Sequence, residues 1–310
     1  MALRALDNTP EHTPERPKKA PKKSVCAGIE NHLAGNEENT VPGSRSPAIE
    51  KAQEDRVDYI ASADLQPLLD PEKTAQNLLQ RLESKDWIKV CEALNDVRRL
   101  AIYHSASLTS LLDRVVLLLV KAMKNPRSAL CKTSIMTSTD LFNGFGHVFL
   151  SPPMSDVIDT LLLQLLLKAS QDKRFVCEEA EMALNAMVKS SPALPLLRKL
   201  EHYVNHSNLR VRAKAAVSIS NCIAKLEMEP MKEYGFSKIL HIAADLLNDR
   251  LPVARDSARS IIASVHAAFS KDHGQHDEEG QLPEDSWKSF CATSLPPIAA
   301  QAVEKIVQQQ

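Results

Sequence analysis

Aromatic residues make up only 4% of this 310-residue chain, and its large apolar letters are overwhelmingly Leu, Ala, Val and Ile. That balance disfavours a β-sandwich, whose strands draw on Val, Thr and Tyr, and suits helix packed on helix. Glycine is equally scarce: between Gly43 and Gly274 only Gly144, Gly146 and Gly235 occur. So few exclude the hairpins of a β fold and the phosphate-cradling loops of a nucleotide enzyme. Cysteine occurs at Cys26, Cys91, Cys131, Cys177, Cys222 and Cys291, with no CxxC pair and no CxxC…H spacing, so neither a zinc site nor a disulfide framework is implied. Reduced thiols are expected. Long apolar runs are also missing, since Leu161 to Leu167 is broken by Gln164 and the opening residues lack the apolar stretch of a signal peptide. A soluble intracellular chain without a membrane partner follows as an expectation. Nor does one sign of charge dominate, because 38 Lys and Arg face 39 Asp and Glu. No global field recruits nucleic acid, and electrostatic binding has to come from local patches.

What is present is 44% hydrophobic and 25% charged residues, enough for one large or two ordinary domains with a real core. Residues 1–57 differ from the rest. They hold many charges, few large apolar side chains and the prolines at 10, 14, 17, 21, 42 and 47, a composition that cannot offset chain entropy by burial. A disordered tail is predicted there. Within it, Arg16, Lys18, Lys19, Lys22 and Lys23 form a basic cluster interleaved with proline, suited to nuclear import, to an acidic surface, or to solubility alone.

From about Tyr59 onward a repeat appears. Asp86-Trp-Ile-Lys-Val90, Pro126-Arg-Ser-Ala-Leu130, Asp172-Lys-Arg-Phe-Val176, Ser207-Asn-Leu-Arg-Val211 and Asp249-Arg-Leu-Pro-Val253 each place a turn residue four positions before a branched apolar anchor. A small or apolar residue follows at Leu94, Ser134, Ala180, Ala215 and Ser257. Successive anchors lie 40, 46, 35 and 42 residues apart. First helices are predicted upstream at 71–83, 107–123, 153–169, 192–204 and 231–247, with prolines at 71, 153, 192 and 230 marking their starts. A capping helix is predicted at 283–308, broken at Pro296-Pro297. The expected fold is all-α: a disordered N-terminal tail, then over 58–310 an armadillo-type α-solenoid of about five to six HEAT-like helix pairs, each burying its apolar face against its neighbours.

The repeat also accounts for Cys91, Cys131 and Cys177, which stand one after the anchor and read as small packing residues. His273 and His276 lie in the polar loop KDHGQHDEEGQ, where a solvated loop is the plainer reading than a metal site. Phe142-Asn-Gly-Phe-Gly-His-Val-Phe149 reads as phenylalanines packing under an inter-repeat connection. No nucleophile with its base, no metal box and no phosphate loop emerges. The expectation is a protein with no catalytic residues, no cofactor and no small-molecule substrate.

In a helix-pair solenoid the turns inside each repeat line up along one edge, so function is read there. The turns are Ser84-Lys85-Asp86-Trp87, Lys124-Asn125-Pro126-Arg127, Asp172-Lys173-Arg174, Asn205 to Arg210, and Asn248 to Pro252 followed by Arg255; they lean basic. Trp87 is the most informative residue, one of two tryptophans and placed in a turn, where aromatic side chains serve as binding anchors or fold back as a cap. Asp86, Asp172 and Asp249 precede helices and suit N-caps. Arg212 and Arg255 sit where an arginine can bond an aspartate of a neighbouring turn.

A first repeat with Lys85-Asp86-Trp87 opening its second helix, followed by repeats with Asn/Asp and Lys/Arg in their turns, resembles a TOG domain, the tubulin-binding HEAT-repeat module of CLASP and TOG-array microtubule regulators. The resemblance covers about residues 59–310. It implies that the turn edge grips αβ-tubulin or microtubules. Trp87 would then be the hydrophobic anchor, and Arg127 of the second turn a further contact on the same edge. Lys173 and Arg174 would make charge-assisted contacts in the middle, and Arg210, Arg250 and Arg255 would engage the far end. The second turn departs from the pattern, since Asn125-Pro126-Arg127-Ser128 offers no large apolar support for the tryptophan. A cytoplasmic, cytoskeletal location is implied, with nuclear import compatible with the basic cluster. The alternative is a general HEAT or armadillo adaptor that binds other proteins.

Overall fold

The computed structural model describes residues 59–273 and 283–309. The tail expected over 1–57, its basic residues, Cys26 and His276 lie outside them. The described chain forms α1 (Pro71–Leu82), α2 (Trp87–Tyr103), a short α3 (Ser105–Thr109), α4 (Leu112–Met123), α5 (Ser128–Phe145), α6 (Ser155–Ala169), α7 (Arg174–Ser190), α8 (Ala193–Leu200), α9 (Leu209–Lys225), a short α10 (Met228–Tyr234), α11 (Phe236–Leu247), α12 (Pro252–His273), α13 (Pro283–Ser294) and α14 (Pro297–Gln308). Among the described residues there is no strand, and no helix is long and apolar enough to cross a membrane.

Helix starts follow from turn chemistry. Pro71 opens α1, where a missing N–H costs nothing, and the Asp70 carboxylate accepts from Lys73 N at 3.0 Å. Asp86 does the same for α2 through Ile88 N at 3.0 Å, and Asn208 for α9 through Arg210 N at 2.9 Å. Asp172 is not a cap, because Lys173 holds that position before α7. The predicted helix over 107–123 is split at Ser110-Leu111 into α3 and α4. That over 231–247 is split at Gly235, whose φ of 99° breaks the helix in a region that favours glycine, and Pro230 falls inside α10. The helix predicted from 153 starts at Ser155 after a 3-10 turn, and the one predicted over 192–204 ends at Leu200 with a 3-10 turn beyond it. Pro283, the break at Pro296-Pro297 and the capping pair α13 and α14 agree with expectation.

Second helices stack in one layer, α2 on α5 on α7, then α9 on α12, and first helices α1, α4 and α6 succeed one another in the other. The order loosens once: α9 divides its packing between α6 and α7 instead of seating squarely on α7. A single apolar core runs the length of the stack, from Leu78 to Val303. The anchors Val90, Leu130, Val176 and Val211 are buried as expected. Val253 is not, being 47% exposed; the buried residue is Ala254, because α12 starts one residue later relative to its turn aspartate than the alignment assumed. Phe142 and Phe149 are fully buried and meet edge to face, with centroids 5.4 Å apart.

Candidate interaction edge

Each turn between a first and a second helix touches the next through a side chain, so the five turns form one continuous edge. At its start, Trp87 is the first residue of α2, half-buried against the core beneath it. The Arg127 guanidinium lies over its ring, 5.6 Å from the centroid, a cation–π contact that stiffens both groups. Asn125 fixes Arg127 in turn, its side-chain oxygen accepting from Arg127 N at 2.9 Å. The second turn therefore supports the tryptophan with a cation rather than an apolar side chain.

Lys173 Nζ donates to Ser128 Oγ at 2.9 Å, joining the third turn to the second. Beside it Arg174 stands almost fully in solvent, its Nε donating to Glu178 Oε1 at 2.7 Å within α7. Arg210, at the start of α9, reaches back to the Asp172 carboxylate and to the Ser170 carbonyl. Arg212 joins the fourth turn to the fifth, with Nε donating to Asp249 Oδ2 and Nη1 to the His206 carbonyl, each at 2.8 Å. This is the arginine–aspartate bond between turns that the repeat suggested.

Asp249 is the most tightly held carboxylate of the edge. Burial alone would raise its pKa, but the Leu251 N–H, which donates to Oδ1 at 2.8 Å, and the Arg212 guanidinium together hold it below the usual aspartate value. Arg255 donates to the carbonyls of Asp249 and Arg250 at 2.8 and 3.0 Å, so its guanidinium closes its own turn. Arg250 points outward and makes no ion pair among the described residues. Phe175, between Arg174 and the anchor Val176, is 43% exposed on the same edge.

The thiols are poor candidates for chemistry. Burial pushes Cys91 up to about 11 and Cys222 and Cys291 each to about 12, so they stay protonated at neutral pH. Cys91 and Cys131 are buried, whereas Cys177, in the equivalent register, is half-exposed and bonds the Ala169 carbonyl. Among the described residues no group of three or more potential ligands could hold a metal ion. The edge thus presents an aromatic ring under a cation, followed by cations that range from hydrogen-bonded to almost fully exposed.

Comparison with known proteins agrees with the fold. The family model for the CLASP N terminus matches residues 62–277. The chain belongs to this family. Among its relatives are the "TOG array regulator of axonemal microtubules protein 1" of Mus musculus, 29% identical over 169 residues, and that of Homo sapiens, 33% identical over 128 residues. These matches take in 54% and 41% of this chain but only 9% and 7% of those proteins, so the chain spans a small part of their length. A solved TOG domain, that of C. elegans Zyg9, superposes with a TM-score of 0.56 over 84% of this chain and 94% of its own, at 17% identity, a likeness of fold.

Within this TOG domain the seven edge residues singled out from sequence fall into distinct settings. Trp87 and Arg127 are stacked, and Lys173 and Arg210 are hydrogen-bonded to neighbouring turns. Arg174 and Arg250 are the most available, and Arg255 is bound to its own turn. Phe175 directly precedes the buried anchor Val176, and sequence pattern alone does not separate its exposed ring from the apolar run it belongs to.

Proposed function

We propose that this TOG domain is a non-enzymatic binder of αβ-tubulin or microtubules, acting through the edge of intra-repeat turns to regulate microtubule organisation or dynamics. Membership of the CLASP N-terminal family and the relatives named for axonemal microtubules support the class of partner. The observation that carries the choice of surface is the stacking of Arg127 on a half-buried Trp87 at one end of a line of exposed cations. A pre-ordered indole loses little side-chain entropy on binding, and aromatic and arginine side chains dominate binding energy at interfaces.

In this reading Trp87 and Arg127 form the anchor. Lys173 and Arg174 contact acidic partner surface in the middle, and Arg210 and Arg250 act at the far end. Arg255 contributes by shaping the fifth turn that presents Arg250. Rim cations of this kind set association rate and salt dependence more than residence time.

The test is co-migration of the full chain with purified αβ-tubulin on a sizing column, with a parallel microtubule-pelleting assay. Wild type is expected to bind, Trp87→Ala to lose most of the binding, and Lys173→Ala/Arg174→Ala to weaken it most visibly at higher salt. Failure of wild type to bind either form at low salt rejects the proposal and favours the general adaptor.

A further inference from the structure

At the end of the second helices opposite the turn edge, a cleft of about 620 Å³ opens between α7 and α9. Asn185, Val188 and Lys189 line it from the last turns of α7, and Asn221, Ala224 and Lys225 from the last turns of α9. The lining holds two lysines and no carboxylate. Neither lysine makes an ion pair among the described residues. Lys225 is fixed in place, its ammonium donating to the carbonyls of Val188, Lys189 and Ser191 at 3.0, 2.8 and 2.8 Å. Those bonds occupy its three protons and cap the end of α7, but carbonyl dipoles do not cancel a unit charge. Lys189 is exposed and keeps its donors free. The Asn185 and Asn221 amides are exposed too, and neither has a hydrogen-bond partner among the described residues.

The repeat itself shows what such a cleft holds. Lys189 stands thirteen residues after the anchor Val176, and Asn221 ten after Val211. Their counterparts in the first two repeats are Tyr103, thirteen after Val90, and Asp140, ten after Leu130. At that register between α2 and α5, Ser62 of the segment preceding α1 lines the cleft together with Ile102 and Asp140. The segment is extended at Ala61 and Leu65, on either side of its 3-10 turn. Side chains grip it by the main chain: Arg98 Nη1 donates to the Ile60 carbonyl and the Tyr103 hydroxyl to the Leu65 carbonyl, each at 2.8 Å. The α7–α9 cleft is lined by its two helices alone.

We infer that the α7–α9 cleft takes an extended acidic segment of a partner protein, with the Asn185 and Asn221 amides bonding its main chain and Lys189 pairing with one of its carboxylates. An asparagine amide donates and accepts as a peptide group does, so it suits main chain of any sequence. Selection then falls to charge: the lysines favour carboxylates and repel a basic segment. The turn edge lies at the other end of these helices, so the inference stands independently of the tubulin reading.

The experiment follows the anisotropy of fluorescein-labelled octaglutamate titrated with the full chain. Every protein carries Lys18→Ala, Lys19→Ala, Lys22→Ala and Lys23→Ala, so that the basic cluster does not itself capture the probe. Lys189→Glu should weaken binding about tenfold, the effect of turning one close attraction into a repulsion. Asn185→Ala/Asn221→Ala changes no charge and should also weaken it about tenfold, as the loss of two hydrogen bonds does. Lys121→Glu, on an exposed lysine in the last turn of α4, is the control for surface charge and should bind as the parent does. All these positions are exposed, so thermal melts should match the parent; Lys225 is left intact because it caps α7. Weakening by Lys189→Glu and by the asparagine pair, but not by Lys121→Glu, supports the inference. Absence of binding by the parent overturns it. So does weakening by Lys189→Glu with the asparagine pair unaffected, which would mean that the cleft attracts anions by charge alone.

Discussion

Arg98 Nε lies 2.6 Å from Asp140 Oδ2, with both side chains almost wholly buried between α2 and α5. Both remaining guanidinium nitrogens also donate, Nη1 to the Asn95 side chain at 3.1 Å and the Ile60 carbonyl at 2.8 Å, and Nη2 to Ser62 Oγ at 3.1 Å. One buried cation therefore ties the first repeat to the second and to the segment that precedes α1. The same segment is held farther along by Tyr103, whose hydroxyl donates to the Leu65 carbonyl, and by Lys132, whose ammonium sits 4.6 Å from the Tyr59 ring centroid.

Breaking this pair on one side should cost far more than replacing both members. Arg98→Met leaves Asp140 buried without a countercharge, a loss of about 3–5 kcal/mol, whereas Arg98→Met/Asp140→Leu removes both charges and should recover much of it. Urea unfolding at neutral pH checks this through the midpoints of the two variants and wild type. Equal midpoints for wild type and Arg98→Met would show that the pair supports nothing.

Trp87 and Arg127 make an optical prediction. Trp287 is buried among Phe269, Phe290 and His266, so Trp287→Phe leaves Trp87 as the sole indole. In that background, acrylamide should quench Trp87 partially, as befits a half-buried ring. Arg127→Ala should increase the quenching and destabilise the fold by no more than about 1 kcal/mol, the size of an exposed cation–π contact. Quenching unaltered by Arg127→Ala would mean that the guanidinium does not cover the ring in solution.

The helix pairs were legible in the sequence because turn residues and apolar anchors recur at a spacing the backbone imposes. Asp86, Asn125 and Asn208 announce helix starts by local hydrogen bonds that span two residues, and such bonds leave a trace in sequence. The fifth anchor was misread for the same local reason: Asp249 bonds Leu251 N inside its turn, and the helix begins only at Pro252, which moves Ala254 inward and Val253 outward. Bonds between turns were harder to foresee. Lys173 with Ser128 and Arg210 with Asp172 join residues some forty positions apart, and their geometry depends on how repeats stack.

The turn bond between Arg212 and Asp249 carries a pH dependence whose sign is fixed. Asp249 is held below its unfolded value in the folded state, so it contributes stability that is fully present above the unfolded aspartate pKa of about 3.9 and lost as pH falls through the lower folded value. Asp249→Asn should therefore melt lower than wild type at pH 7, and the gap should close as pH drops below about 4. Thermal melts of both proteins across that range test it. A gap that persists or widens in acid would assign the loss to packing rather than to the carboxylate.

Gly146 stands where two second helices come too close together to admit a Cβ. It follows α5 directly, and a Cβ added there would meet Ser190 at the end of α7, 2.5 Å from its Cβ and 2.6 Å from its carbonyl oxygen. Its backbone is ordinary αR, so the demand for glycine is one of space and not of φ. Gly146→Ala should thus destabilise by about 1–3 kcal/mol, the usual cost of overpacking a site that cannot relax. Ser190→Ala should not rescue it, because the hydroxyl is only one of the atoms in the way and the Ser190 backbone oxygen remains. Gly235→Ala provides the contrast: its Cβ finds only the Lys238 Cβ at 3.9 Å, so any loss there comes from the positive φ alone. If Gly146→Ala melts with wild type, the ends of α5 and α7 lie farther apart than 2.6 Å contacts imply, and the junction of the second and third repeats is looser than the rest of the layer.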